Sequence, residues 1–151
     1  MRKYEREKSV TDKYDREKKV RRFSVVVAAK DLAVHTIQIT SNENFFPRRY
    51  RLTFTNKMIE KALSIVTLLT EANEIIPSTQ EEYELRCCYQ KNALAAFKSL
   101  EVMIDISKRL FNLPDRKIEY WSKLLFKARN AAVEWYQGDR KRFGFKYRET
   151  V

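Results

Sequence analysis

From residue 1 to residue 137 the chain contains no glycine, and its helix-breaking residues there are Pro47, Pro77 and Pro114. Glycine supplies the positive-φ positions of tight turns, and proline interrupts a helix by removing an N–H and crowding the preceding turn. A chain of 151 residues with only Gly138, Gly144 and three prolines lacks the turn material of an all-β fold. The prolines divide it into four pieces of helix length, so the expected class is all-α. The length suits one domain with a core that needs no covalent staple.

Each piece carries apolar residues at helical spacing. In the first helix, Arg22 to about Ser41, the stripe is Val25, Ala28, Leu32, His35 and Ile39, with Val26, Ala33 and Ile37 beside it. The Val25–Val27 run favours a strand locally, but the periodicity after it is helical. Asn42-Glu43-Asn44 forms a turn, and Phe45-Phe46-Pro47 opens the second helix, where proline is tolerated. That helix runs to Asn73 on a seam of Met58, Ala62, Ile65, Leu69, Ala72 and Ile76. Ser78-Thr79-Gln80-Glu81-Glu82 supplies capping hydroxyls and early acids for the third helix. Its seam is Tyr89, Ala93, Ala96, Leu100, Met103, Ser107 and Leu110, ending at Asn112-Leu113-Pro114. The fourth helix, Asp115 to Gln137, places Ile118, Trp121, Leu125, Ala128, Ala132 and Trp135 on one face, with Gly138 as its C-terminal stop.

Four such helices with short connections predict an antiparallel four-helix bundle over residues 23–137. Residues 1–22 are a charged N-terminal extension, in which Lys3-Tyr4-Glu5-Arg6-Glu7-Lys8 recurs as Lys13-Tyr14-Asp15-Arg16-Glu17-Lys18. Residues 138–151 are a basic tail interleaved with Phe143, Phe145 and Tyr147. Tyr50, Phe54, Tyr120 and Phe126 are aromatics left over by the seams, which hints at self-association.

The net charge of +11 is unevenly distributed. Residues 58–137 hold eleven charges of each sign, whereas residues 1–22, 45–57 and 138–151 carry +5, +4 and +3, and residues 23–44 carry −1. A neutral body with cationic ends is an electrostatic footprint for a polyanion, most simply nucleic acid. The candidate contact residues are Arg48, Arg49 and Arg51, then Arg140, Lys141 and Arg142, then Arg21 and Arg22. Three cations within four positions cannot share one helical face, so two of the first group are expected to reach a ligand.

No catalytic constellation is visible. There is no glycine-rich phosphate loop and no metal-spaced His/Cys set, so neither cofactor nor metal is expected. Cys87 and Cys88 are adjacent and read as small packing residues. His35 is the one histidine, and no arginine stands four to six residues before it, as helical ribonucleases of the HEPN type require. No stretch approaches the ~20 apolar residues of a membrane span. The charged N-terminus lacks the apolar core of a signal peptide, so a cytoplasmic location is expected.

One pattern goes beyond composition. Asn44-Phe45-Phe46-Pro47-Arg48-Arg49-Tyr50-Arg51, followed by Asn56-Lys57-Met58, Ala62-Leu63 and Glu71-Ala72-Asn73, resembles a bacterial four-helix-bundle family. That family comprises the accessory variability protein (Avd) of diversity-generating retroelements and the proteins encoded in ribosomal RNA intervening sequences. Asp31-Leu32-Ala33, Tyr120-Trp121, Arg129-Asn130 and Trp135 fit the same pattern, over about residues 23–142. The resemblance implies a non-enzymatic protein that forms a ring-like homopentamer. In its retroelement branch it implies binding to a reverse transcriptase and to RNA. In the intervening-sequence branch it implies the same fold, with a protein–protein scaffold as the alternative role.

Overall fold

The computed structural model describes residues 24–148, with side chains as far as residue 144. Four long helices dominate, and no strand occurs among the described residues. We label them α1 (residues 24–40), α2 (Asn56–Glu74), α3 (Gln80–Phe111) and α4 (Asp115–Arg148). The expected extension over residues 1–22 lies outside the described residues. None of the described helices is long and apolar enough to cross a membrane.

The apolar stripes pack together as one core. Leu32, Met58, Ile65, Leu69, Ala93, Leu100, Trp121, Leu125 and Ala128 are all buried in a single cluster. The α3 stripe departs from expectation in part. Ala93, Ala96, Leu100 and Ser107 are buried as expected, but Gln90 and Ile104 are buried in place of Tyr89 and Met103, and Phe97 is buried beside Ala96. Leu110 is exposed, and its neighbour Phe111 packs against the core instead. Both members of Ala96-Phe97, Met103-Ile104 and Leu110-Phe111 are apolar, so periodicity does not choose between them. In α1, Ala29 and Thr36 are buried to completion, and His35 lies at the edge of the stripe.

Local chemistry accounts for the helix ends. At the start of α3 the Thr79 hydroxyl accepts from the Glu82 N–H at 3.2 Å, and the Glu82 carboxylate accepts from the Ser78 N–H at 3.0 Å. This reciprocal cap satisfies two donors that the first turn leaves open. Asn112 closes α3 in the left-handed conformation, φ 52°, and Pro114 follows. Ile75 is extended (φ −82°, ψ 116°) two residues before Pro77, whose ring restricts Ile76 and could not continue the helix past the Asn73 carbonyl. α2 therefore stops at Glu74, and Ile76, expected on its seam, is 74% exposed.

Two further expectations are corrected. The second helix does not run smoothly from Pro47: Arg48–Tyr50 is a tight 3-10 turn and Arg51–Thr55 a wide π turn before α2 begins. Nor does Gly138 end the fourth helix, which continues to Arg148. No described glycine has positive φ, and a Cβ on Gly138 would meet nothing within 4 Å. A helical glycine costs about 1 kcal/mol relative to alanine, and contacts beyond Gly138 outweigh it.

Urea unfolding provides two checks. Leu69→Ala and Leu100→Ala should each lower stability by about 2–5 kcal/mol, as buried leucines do. Gly138→Ala should raise it by about 0.5–1 kcal/mol, since the backbone is helical and the space is open. A loss on Gly138→Ala would mean that α4 does not pass unbroken through that position.

Candidate nucleic-acid interface

The turn after Pro47 packs on an aromatic cluster. Phe111, at the end of α3, has Phe46, Tyr50 and Phe54 around it at ring-centroid distances of 5.1, 5.2 and 6.1 Å. Phe46 is buried and also meets Trp121 of α4 at 6.1 Å. Tyr50 and Phe54, expected as leftover surface aromatics, are half-buried in this assembly. The Trp121 indole N–H donates to the Thr36 hydroxyl at 3.0 Å, and that hydroxyl donates to the Leu32 carbonyl at 2.7 Å. Parts of α1, α3, α4 and the Pro47 turn are thus locked together at one end of the bundle.

Cations lie over rings at this end. The Arg49 guanidinium lies 5.0 Å over the Tyr50 ring, and the Lys117 ammonium lies 4.6 Å over the Phe45 ring. Arg48 and Arg116 are exposed and make no ion pair among the described residues. Arg51 pairs with Glu43 at 3.5 Å, which removes it from the expected trio of free arginines. Two further carboxylates are engaged, Asp115 with Lys108 at 3.5 Å and Asp105 with Arg109 at 3.2 Å, while the exposed Glu119 beyond Lys117 makes no ion pair. Seven cations and three carboxylates in residues 43–51 and 105–117 leave +4. The ion pairs are exposed and individually worth only ~0–1 kcal/mol. Their effect is to leave Arg48, Arg49, Arg116 and Lys117 uncompensated.

The second expected group is elsewhere. Arg140, Lys141 and Arg142 ride on the last turns of α4, about 35 Å along that helix from Lys117. Arg140 and Arg142 lie 5.8 and 5.9 Å over the rings of Tyr136 and Phe143. These cations therefore sit on a helix rather than on a flexible arm. Arg21 and Arg22 lie outside the described residues.

Sequence reasoning missed what organises this far end. Asp139, read as one residue of a basic tail, is 5% exposed, and Arg86 is 1% exposed. Arg86 donates from Nε to one Asp139 oxygen at 2.7 Å and from a terminal nitrogen to the other at 3.1 Å. It also donates to the Ile75 carbonyl at 3.1 Å, and its guanidinium lies 4.9 Å over Trp135. Gln90 adds a donor to Asp139 at 2.9 Å. Its own Oε1 and the Trp135 indole N–H are buried without a partner. The bidentate fork is the strong form of an Arg–carboxylate pair. A sequence signal did exist. Asp139 continues the α4 stripe beyond Ala132 and Trp135, and Arg86 continues the α3 stripe backward through Gln90.

Nearby, Tyr83 stacks obliquely on Phe143 at 6.2 Å. Burial and a hydrogen bond to Cys87 push its hydroxyl up to about 12. A Cβ on Gly144 would stand 3.3 Å from that hydroxyl, so glycine lets α4 approach closely there. Cys87 is buried and Cys88 exposed, both as free thiols. No group of three metal-ligating side chains occurs among the described residues. His35 is edge-on to Tyr120 at 4.9 Å with its Nε2 buried and unpartnered. Burial, and then the nearby Lys117, hold its pKa below the ordinary 6.5.

Asp139→Ala should cost about 3–5 kcal/mol in urea unfolding, because it strands a buried guanidinium. The joint change Arg86→Met with Asp139→Leu should recover most of that loss. A cost below ~1 kcal/mol for the single change would contradict the buried pair. His35 supplies a pH dependence. Its folded pKa lies below the unfolded value of 6.5, so the unfolded chain binds the extra proton. Stability should therefore fall as pH drops through and below that value, and His35→Gln should remove this component. Thermal unfolding between neutral and mildly acidic pH tests the difference.

Comparison with family models finds no match to this chain, and comparison with curated proteins and with solved structures finds none either.

Proposed function

We propose that this protein is a non-enzymatic nucleic-acid-binding module, acting on RNA in company with a reverse transcriptase, as the resemblance to Avd implies. The observation that carries the RNA-binding reading is the cationic end. Arg49 and Lys117 lie over aromatic rings, Arg48 and Arg116 adjoin them in the chain without an ion pair, and Glu43, Asp105 and Asp115 are already paired. Such a surface neutralises phosphates without reading bases, so affinity should be sequence-tolerant and salt-dependent.

The scaffold is an antiparallel bundle in this reading. Support comes from pairs that run in opposite senses. Ser107, late in α3, donates to the Met58 sulfur early in α2, while Arg86 early in α3 reaches Ile75 just past α2. Trp121 early in α4 meets Thr36 late in α1. The protein works in the cytoplasm as a homo-oligomer, a pentamer by the resemblance. The exposed row Leu85, Val102, Ile106 and Leu110 on α3 is apolar surface available for that assembly. The same row favours the second reading, a protein–protein scaffold whose cations serve solubility.

Two measurements separate these readings. Affinity for single-stranded RNA should fall linearly with log salt, and Arg48→Ala, Arg49→Ala and Arg51→Ala together should flatten the slope by about two. Most of that change should come from Arg48 and Arg49, since Arg51 is shared with Glu43. Undetectable binding at ~50 mM salt would hand the protein to the scaffold reading. Light scattering should give a mass several times 18.1 kDa, and a strict monomer would remove the assembly.

A further inference from the structure

We propose that Tyr120 is a base-stacking platform in a single-stranded nucleic-acid track along the outer face of α4, formed with Arg116, Lys123 and Lys127. The inference rests on the RNA-binding reading above and adds to it the strand state of the ligand and the residue that recognises unpaired bases.

The four residues follow one another at steps of four, three and four, so they form a single stripe about 16 Å long. The side of α4 opposite the stripe is the core side, where Trp121, Leu125 and Ala128 are buried. All four stripe residues are exposed, and Tyr120 is 54% exposed. Glu119 borders the stripe, three residues after Arg116 and four before Lys123, without an ion pair to either, and the stripe positions themselves hold no carboxylate before Glu134. On the facing helix, Asp31 is the one acid of α1, and it forms no ion pair with these lysines.

The ring is also pre-positioned. Tyr120 stands edge-to-face against His35 at 4.9 Å with an interplanar angle of 77°. Its orientation is held from below while much of the ring remains open to solvent. His35 is fixed in turn beside Trp121, at 6.4 Å. A fixed, half-open aromatic ring among cations is the arrangement that stacks an unpaired base while the cations take the flanking phosphates. A duplex offers no free base face, so it gains only the phosphate contacts. The stripe begins at Arg116, beside Lys117 over the Phe45 ring, so the track leads away from the cationic end.

The experiment uses the full chain and three labelled probes: an oligouridylate, an abasic strand of equal length, and a short RNA duplex. Tyr120→Leu, which keeps an apolar side chain against His35, should weaken oligouridylate binding by about 5- to 150-fold, the range of one base–aromatic stack. It should leave abasic and duplex affinity, and the salt slope, unchanged. Tyr120→Phe should bind as the native chain does. Lys123→Ala with Lys127→Ala should flatten the single-strand slope by about 1.4. Unchanged oligouridylate affinity in Tyr120→Leu would overturn the inference. So would an equal loss on all three probes accompanied by a fall in solution mass, which would place Tyr120 between copies of the chain. Native binding that depends on Arg48 and Arg49 but ignores Tyr120 defeats this inference alone. Absence of native binding to any probe defeats the broader reading with it.

Discussion

The ion pair between Arg86 and Asp139 sets how the last third of α4 lies on α3. Two glycines, Gly138 and Gly144, weaken that stretch of helix, and its remaining composition is cationic. Local propensity alone would let it fray. What holds it is a carboxylate that receives donors from Arg86 and Gln90, with the guanidinium also capping the Ile75 carbonyl beyond α2. Three segments are joined by one buried arginine. Such a pair adds little net stability over an apolar equivalent, but the loss of either partner leaves a charge in a low-dielectric site. Its consequence is positional. The surface on which Arg140, Lys141 and Arg142 sit is a helix with a defined phase.

The other end is built by different physics. Aromatic rings around Phe111 cover the junctions between helices, with Arg49 over the Tyr50 ring and Lys117 over the ring of Phe45. A cation over a ring keeps most of its hydration while being held in place, worth roughly 0.5–1 kcal/mol at exposed sites. Positive charge is thus positioned without being neutralised, whereas Glu43, Asp115 and Asp105 are engaged by Arg51, Lys108 and Arg109. Between the two ends, alanines such as Ala62, Ala93, Ala128 and Ala132 are buried and permit close helix approach. The bundle is a neutral rod with two chemically distinct ends.

Much of this was legible before any coordinates. The glycine-free stretch and three prolines allow little but helices, and a stripe of four- and three-residue steps names the buried face of each helix. For α2 and α4 the stripe residues and the buried residues largely coincide, although apolar neighbours such as Leu63, Val66, Leu124 and Val133 stand beside them. In α3 they diverge in part: Phe97 is buried beside the expected Ala96, Ile104 replaces Met103, and the register carries Gln90 and Arg86 inward. A sequence reader avoids that register, since it buries a charge. It is allowed because Asp139 arrives from a residue 53 positions away.

The same distinction divides the candidate site. Sequence by itself determined the helical class, the limits of α1 and α3 to within a few residues and the concentration of cations after Pro47, because these follow from local backbone chemistry and composition. Tertiary structure decided which cations stand free. Whether Arg51 is paired, whether Arg116 and Lys117 join Arg48 and Arg49, and whether Asp139 faces water or core depend on side chains brought together from distant positions. Charge sums along a sequence take no account of distance, and Coulomb interactions and desolvation depend on little else.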